Sequence, residues 1–223
     1  CKMLHNTLVD PLIGLSDKAG IDGLPEERIV CVGRLSKSKG QDILLKAMVS
    51  LKEQFPKIKV YFVGDGSERR ALTELSEDLS IVDHCLFTGK VPHSKVLSLM
   101  ASASLTVCPS RIDNLPTTVI ESLSVGTPVV ATNAGGVHDI FQDGVEGFMV
   151  PPGDPKTLAL QIAKLLQDDQ LRNTMSKAAR NRFLTCFEQN AGIRHQANWF
   201  EGLLINCHCK KSTILNNRAE ETN

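Results

Sequence analysis

Neither sign of charge is in excess in this sequence: its 223 residues include 25 basic and 25 acidic side chains. A chain with balanced charge has no global field to attract nucleic acid or an anionic membrane. Aromatic residues make up only 4% of the chain, which argues against a surface that stacks on nucleic-acid bases. No apolar run reaches the roughly 20 residues that cross a bilayer. We therefore expect neither a nucleic-acid partner nor a membrane span.

Signals for metal ions and for a disulfide framework are scarce as well. The sequence has no Asp-x-Asp pair, so nothing in it indicates a catalytic divalent metal. Cys207-His208-Cys209 could form half of a zinc site, but no second half lies nearby and the segment reads as a tail. The seven cysteines are an odd number, and Cys31 and Cys108 lie in strand-like runs, where a buried free thiol is usual. This usage favours a reducing, cytoplasmic compartment.

From residue 28 onward, short apolar runs alternate with segments that repeat apolar residues at helical spacing. Strands are predicted at 29–32, 60–63, 85–88, 105–108, 129–131 and 147–150. This alternation predicts an α/β fold whose parallel sheet carries helices on both faces, and strands that are apolar on both faces fit a covered sheet. We therefore predict a doubly wound parallel sheet, followed after Pro155 by a helical C-terminal extension.

Three segments are predicted along the chain. Residues 1–27 are interpreted as a strand and linker that lead in from another domain, because the first residue is Cys1 rather than Met and the chain looks trimmed from something longer. Residues 28–205 form the ligand-binding domain. Residues 206–223 are polar and without period, and we predict that they are disordered.

Glycines and charged residues occupy the loops that follow the predicted strands. These loops contain Gly33-Arg34, Gly64-Asp65-Gly66, Gly89-Lys90, residues 110–114 and residues 133–136. In a parallel sheet the carboxyl ends of the strands share one edge, where doubly wound folds bind ligands. The glycines would let a ligand approach the backbone, and Arg34, Lys39 and Lys90 bring positive charge. Gly64-Asp65-Gly66 lacks the third glycine of a dinucleotide fingerprint, which argues against a nicotinamide enzyme.

The stretch from 105 to 132 reads as strand, loop, helix and strand. Pro116 favours a helix start, and Gly126 favours its end. Asp113 precedes the helix and Glu121 lies one to two turns into it, so the free amides of the helix N-terminus fall between two carboxylates. Backbone donors and a positive dipole end suit a phosphate, and carboxylates suit hydroxyl groups. The combination describes a sugar nucleotide.

These motifs resemble the C-terminal, donor-binding domain of retaining glycosyltransferases with the GT-B fold, of the glycogen-synthase-like GT4 type. The resemblance rests on the order of the motifs over residues 28–204. It is carried by Gly33-Arg34-Leu35 with Lys39-Gly40, Gly64-Asp65-Gly66, Gly89-Lys90-Val91-Pro92, Pro109-Ser110 with the two spaced acids, and Gly126-Thr127-Pro128-Val129; residues 5–10 resemble a divergent copy of the segment that leads into that domain. The resemblance implies a Rossmann-like domain.

The resemblance also implies a reaction: transfer of a sugar from a nucleotide-diphosphate sugar to an acceptor hydroxyl, with retention, and without a metal or another cofactor. UDP is the expected nucleotide. Arg34 and Lys39 would bind the diphosphate, where fixed cations stabilise the charge that develops on the leaving group. Glu121 would bind the ribose hydroxyls. Asp113 replaces the family's usual, longer Glu and would face the donor sugar.

Further positions follow from the same resemblance. The catalytic candidates are Asp113, Glu121, Arg34 and Lys39, and the substrate-binding candidates are Gly33, Gly64, Gly66, Lys90, Val91, Asn114, Leu115, Pro116, Thr117, Thr118, Val119 and Glu121. The amides of residues 115–119 would meet the phosphates or the sugar, the backbone at 90–91 the base, and Gly135-Gly136 the sugar end. His93 and His138 are interpreted as surface or helix-start residues rather than bases.

Plainer interpretations stay open for the same residues. Arg34 and Lys39 could be a solvated loop pair, Glu121 an exposed helix carboxylate, and Asp113 a loop acid or helix cap. Each glycine could merely shape a turn. The family places the acceptor, whether a glycan, a lipid or a small molecule, in an N-terminal domain for which this sequence has no room.

We therefore expect a chain that binds donor and is inactive alone, from an enzyme that is cytoplasmic or peripherally membrane-associated. The alternatives are a non-catalytic nucleotide-sugar-binding subunit and a regulatory sensor module.

Overall fold

The computed structural model describes residues 8–12 and 27–189. The predictions for most of the linker, for the last part of the helical C-terminal extension and for the polar tail lie outside these residues. The chain divides into two compact units, Asp10–Leu184 and Cys1–Val9 with Thr185–Asn223. In the smaller unit Leu8 and Glu188 form a parallel bridge, and the Leu8 amide donates to the Phe187 carbonyl at 2.9 Å.

The larger unit is built on a six-stranded sheet in which every pairing is parallel and the strand order is β3-β2-β1-β4-β5-β6. The strands are β1 Arg28–Val32, β2 Lys59–Val63, β3 Cys85–Gly89, β4 Leu105–Cys108, β5 Val129–Thr132 and β6 Gly147–Val150. The chain winds outward from β1 to β3 and then returns to β4 on the other side of β1. This order confirms the predicted doubly wound sheet.

Helices connect the strands, as the sequence pattern predicts. They are α1 Gln41–Gln54, α2 Arg69–Asp78, α3 His93–Ala101, α4 Thr117–Ser124, α5 Val137–Ile140, α6 Pro155–Gln167 and α7 Asp169–Cys186, with short 3-10 helices at Lys37–Lys39 and Val82–His84. Asp154 caps the N-terminus of helix α6, because its carboxylate accepts hydrogen bonds from the amides of Lys156 and Thr157. A proline occupies the first position of the helix. Helices α6 and α7 form the described part of the predicted extension.

Both faces of the sheet are packed with apolar side chains. Successive residues of a strand point to opposite faces, so Ile29 and Cys31 join one cluster with α1 and α6, whereas Val30 joins another with α3. All four residues of β4, and all four of β5, are buried. The apolar runs in the sequence are therefore the consequence of a sheet that is covered on both sides.

A buried hydroxyl network fixes α4 against the sheet. The Ser122 hydroxyl donates to Thr106 Oγ1 of β4 at 2.8 Å and lies 2.9 Å from the Thr127 carbonyl oxygen. Thr127 in turn donates to the Met100 carbonyl of α3 at 2.8 Å. These buried polar groups are satisfied, so they stabilise one arrangement of α3, α4 and β4. Across residues 8–12 and 27–189, no helix combines the length and apolarity needed to cross a membrane.

Candidate functional site

The loops after β1 and β2 are joined by backbone hydrogen bonds. The Leu35 amide donates to the Asp65 carbonyl at 3.1 Å, and the Glu68 amide donates to the Leu35 carbonyl at 3.1 Å. A Cβ at Gly64 would lie 2.1 Å from the Gly33 carbonyl oxygen, and one at Gly66 would lie 2.2 Å from that of Leu35. The close approach of one loop to the next therefore requires these glycines, independently of any ligand.

Two of the cationic side chains predicted to bind the ligand line one open depression at the carboxyl edge of the sheet. Arg34 follows β1 and Lys90 follows β3, and together with Asp65 and Gly66 they border a volume of about 530 Å³. Asp65 is near a further cation, Arg69, with Oδ2 and NH1 separated by 3.6 Å. The strand order explains the meeting of these loops, because β1, β2 and β3 are neighbours in the sheet.

Lys39 and Asp113 contact each other directly. Lys39 Nζ lies 2.5 Å from Asp113 Oδ2, and the Ser110 hydroxyl donates to the same oxygen at 3.2 Å. The Asp113 side chain is only 11% exposed and that of Lys39 is 32% exposed. The structure thus pairs two residues that the sequence analysis assigns to the sugar and to the diphosphate. Ser110 has no predicted role in the sequence analysis, although it belongs to the Pro109-Ser110 motif.

The loop that carries Asp113 is attached on one side to the loop after β1. The Arg111 amide donates to the Ser38 carbonyl at 2.8 Å, and its guanidinium binds both oxygens of Asp42 at 2.7 Å. Hydrogen bonding by Arg111 lowers the pKa of Asp42, and the same hydrogen bonds raise the pKa of Arg111. The sequence analysis missed this bidentate pair, because its members are 69 residues apart.

The same loop is held on its other side by two glycines. Gly135 has φ +59°, and a Cβ there would lie 1.6 Å from the Asp113 carbonyl oxygen. The Gly136 amide donates to the Asn114 carbonyl at 2.9 Å. The backbone of residues 113–114 therefore packs directly on Gly135 and Gly136. This packing accounts for the two glycines without a contact to a sugar.

The helix α4 begins at Thr117 without a side-chain cap. The Val119 amide, which is one of the predicted phosphate-binding amides, already donates to the Pro116 carbonyl at 3.0 Å. The side chains of Pro116 and Val119 are buried, whereas Asn114 and Thr117 are exposed. An uncapped N-terminus leaves amide donors and the positive end of the helix dipole for a ligand.

Glu121, the second predicted acid, is bound by a histidine. Glu121 Oε1 lies 3.0 Å from His93 Nε2, and the Glu121 side chain is 14% exposed. His93 is the first residue of α3, as its interpretation as a helix-start residue implies, and α3 packs on α4. The sequence analysis missed the contact. Its only signal was the position of His93 directly after Pro92, in a loop already predicted to reach the ligand edge.

The remaining predictions concern Gly33, Val91 and the cysteines. Gly33 and Val91 are half-buried in the loops after β1 and β3, and Leu115 and Thr118 are half-buried beside α4. Cys31 and Cys108 are buried and free, as predicted. Burial raises the pKa of both thiols, which keeps them protonated and poorly reactive.

Fold and site together define a Rossmann-like domain of the GT-B type, with charged loops gathered at the carboxyl edge of its sheet. The chain belongs to the family described as glycosyl transferases group 1, whose sequence profile matches residues 19–182.

Individual relatives agree with this assignment. The chain is 34% identical over 163 residues to the sulfoquinovosyl transferase SQD2 of Arabidopsis thaliana, which covers 71% of this chain and 30% of that protein. It is 33% identical over 155 residues to a D-inositol 3-phosphate glycosyltransferase of Corynebacterium urealyticum, covering 66% of this chain and 37% of that protein. The chain therefore spans about a third of the length of these curated relatives.

Solved structures show the same fold. The crystal structure of Anabaena HepE in complex with UDP matches with a TM-score of 0.71 and 26% identity, over 78% of this chain and 48% of that one. The C-terminal domain of the group 1 glycosyl transferase LpcC from Francisella tularensis matches with a TM-score of 0.68 and 20% identity, over 73% of this chain and 87% of that domain. The second match supports the fold alone.

Proposed function

We propose that this chain binds the donor of a glycosyltransferase reaction, a nucleotide-diphosphate sugar with UDP as the nucleotide. The observation that carries the proposal is the depression in which Arg34 and Lys90 meet from separate loops at the carboxyl edge. Two cations beside a glycine-containing loop suit a diphosphate. Arg34 is exposed, so its charge is accessible to a ligand.

In the proposed reaction the bond between the sugar and the terminal phosphate oxygen breaks, and the acceptor oxygen bonds to the same carbon with retention while the acceptor loses its proton. The departing nucleotide diphosphate gains negative charge. Arg34, Lys39 and the uncapped N-terminus of α4 supply fixed positive charge for it. We propose that no metal and no other cofactor takes part, as the family resemblance implies.

Each carboxylate has a proposed role in the same complex. Glu121 accepts hydrogen bonds from the ribose hydroxyls, and Asp113 accepts from hydroxyls of the sugar. Asp113 contacts Lys39, and we propose that the donor exchanges that contact for two new ones, phosphate to Lys39 and sugar hydroxyl to Asp113. The exchange couples binding of the two halves of the donor.

UDP is favoured by the structural relatives. Anabaena HepE, at 26% identity, has been solved with UDP and with UDP-glucose. A GDP-mannose-dependent mannosyltransferase of Mycolicibacterium smegmatis, at 29% identity over 160 residues, makes GDP the alternative nucleotide. The acceptor is proposed to be a glycan, a lipid or a small molecule, bound by parts of the family architecture outside the matched segment, so that this chain alone binds donor without transferring it.

The decisive experiment is calorimetric titration of the chain with UDP, GDP and ADP and then with their sugar conjugates. We expect one nucleotide to bind, and Arg34→Ala to weaken it at least about tenfold, because a hydrogen-bonded charge contact to phosphate is lost. Arg70→Ala is the matched control, since Arg70 is a 91% exposed arginine on α2 whose ion-pair partner, among the residues that the structure describes, is Glu74 on the same helix. The absence of binding by a folded chain, or equal affinities of wild type and Arg34→Ala, would contradict the proposal.

A second candidate is a non-catalytic nucleotide-sugar-binding subunit or sensor module. The observation in its favour is that Asp113, already shorter than the family's usual acid, is bound by Lys39 and Ser110. Measurement of nucleotide release from the sugar conjugate by the native protein separates the candidates. Binding without any release favours the sensor, whereas transfer by the isolated chain would contradict its proposed inactivity.

A further inference from the structure

The carboxylate of Glu121 has one side-chain partner within residues 8–12 and 27–189, and that partner is His93. The two side chains differ in exposure: Glu121 is 14% exposed, whereas His93 is 65% exposed. A carboxylate accepts several hydrogen bonds, so one bond to Oε1 leaves most of its acceptor capacity unused. The pair is therefore a largely buried acid, approached from solvent by a single imidazole.

The fold fixes the backbone positions from which the side chains of His93 and Glu121 extend. Val96, Leu99 and Met100 anchor α3 in the core, and the buried hydroxyl network around Ser122 anchors α4. His93 occupies the first position of α3, directly after Pro92, whose fixed φ limits the approach of the chain. Packing against the core does not hold the exposed imidazole in place, so its hydrogen bond with Glu121 is the contact that links the two groups.

We propose that His93 is a positioning residue for the donor: its Nε2–H donates to Glu121 Oε1 and holds the carboxylate so that Oε2 accepts from the ribose hydroxyls. The inference rests on the proposed function, because it takes Glu121 as the ribose-binding acid. It adds the residue that sets the orientation of that acid. A neutral imidazole has one donor nitrogen, and facing a carboxylate with Nε2 selects the tautomer that carries its hydrogen there.

Preorganisation explains why such a contact would matter for binding. A free Glu side chain has several rotamers, and ordering one of them on binding weakens affinity. A histidine that orders the carboxylate beforehand removes part of that cost, and only for ligands that use the carboxylate. The effect of His93 should therefore depend on the ribose hydroxyls, whereas a purely structural effect on α3 would weaken every nucleotide.

The test is calorimetric titration of the 223-residue chain with UDP and with 2′,3′-dideoxy-UDP. We expect His93→Ala to weaken UDP about fivefold, in line with loss of one hydrogen bond to a charged group at a partly exposed site, and to leave dideoxy-UDP within about twofold. His93→Gln, whose amide nitrogen can replace Nε2, should restore UDP binding to within about twofold of wild type. Ser94→Ala is the matched control, because Ser94 is exposed on the same turn and its hydroxyl makes no hydrogen bond within the described part of the chain.

Each outcome separates this inference from the proposed function. If wild type binds UDP and Glu121→Gln weakens it while His93→Ala does not, the donor site stands and the role of His93 is overturned. Equal losses for UDP and dideoxy-UDP in His93→Ala, or no rescue by His93→Gln, also overturn it. If the folded wild type binds neither UDP nor any other nucleotide diphosphate, the proposed function fails, and the role of His93 fails with it.

Discussion

The two acids at the carboxyl edge have seven residues between them in the sequence, yet their surroundings differ. Asp113 lies in a loop that is attached on both sides and pairs with the lysine proposed to bind phosphate. Glu121 lies on a helix and pairs with an exposed histidine, for which the structure shows no other side-chain hydrogen bond or ion pair among residues 8–12 and 27–189. Under the proposed function, a ligand would compete with an existing ion pair at Asp113, whereas the partner of Glu121 could stay in place.

Under the proposed function, the contrast would give two modes of control over one ligand. The Lys39–Asp113 pair would set a threshold, because binding that engages Lys39 would compete with an ion pair. The His93–Glu121 pair would lower the cost of binding, because it orders an acid without occupying all of its acceptor capacity. Three substitutions test the Asp113 side of this contrast, ordered by the size of the expected effect.

The largest effect is expected from Gly135→Ala, which attacks the support of the Asp113 loop. The new Cβ would lie 1.6 Å from the Asp113 carbonyl oxygen in a left-handed conformation, so we expect a loss of about 3 kcal/mol in the free energy of unfolding. Chemical denaturation measures it. Gly153→Ala is the control, because Gly153 has φ +78° but nothing within 4 Å of a Cβ, and should cost about 1 kcal/mol. Equal losses of unfolding free energy in the two variants would show that the Asp113 loop moves away from the new Cβ at little cost.

A smaller effect is expected from Arg111→Ala, which removes the loop's bidentate contact with Asp42. The pair is partly exposed, at 39% for Arg111 and 26% for Asp42, so we expect a loss of about 1 kcal/mol at neutral pH. The pKa of Asp42 is lowered in the folded chain from its ordinary value of 3.8, so this stabilisation is present above pH 3.8 and disappears as pH falls through the folded value.

Urea denaturation of wild type and Arg111→Ala at neutral pH and below pH 3.8 measures this pH dependence. Arg70→Ala, at a pair whose side chains are 91% and 62% exposed, should show little difference from wild type at either pH. A difference between wild type and Arg111→Ala that persists unchanged in acid would contradict an origin in the Asp42 carboxylate.

The smallest effect is expected from Asp113→Asn, which tests the threshold itself. The substitution removes the charge that holds Lys39, so UDP should bind about threefold more tightly, in line with a partly exposed ion pair. Its sugar conjugate should gain less or lose affinity, because the acid that would accept from the sugar is gone. Calorimetry with both ligands measures the ratio, and weaker UDP binding in Asp113→Asn would contradict the competition for Lys39.

Local sequence is enough to predict the elements of this fold, but not the contacts between them. The buried runs at Ile29–Val32 and Leu105–Cys108 predict strands, because a sheet covered on both faces needs them apolar throughout. The meeting of Lys39 with Asp113 requires β1 and β4 to be neighbours, and alternation of strands and helices does not specify strand order. The same reason hides the pairing of Arg111 with Asp42.

Glycines present a different ambiguity. Gly64 and Gly66 are predicted from the sequence to give a ligand access, and carbonyls of the neighbouring loop occupy the positions of their missing side chains. A glycine that is needed for a ligand and one that is needed for a neighbouring loop look alike in sequence. The distinction depends on which backbone lies within about 3 Å, and only the folded chain specifies that. The ligand contacts of both positions stay predictions.

The Lys39–Asp113 pair has a consequence for selectivity among the abundant anions of a cell. Inorganic phosphate or a bare nucleotide could take the lysine, but it would leave a carboxylate that is only 11% exposed without its counter-ion. A sugar diphosphate offers an anion to Lys39 and a hydroxyl to Asp113 together, so both side chains regain a partner. The pair would then favour ligands that offer both chemistries, and a product that has lost its sugar would bind less tightly than the donor.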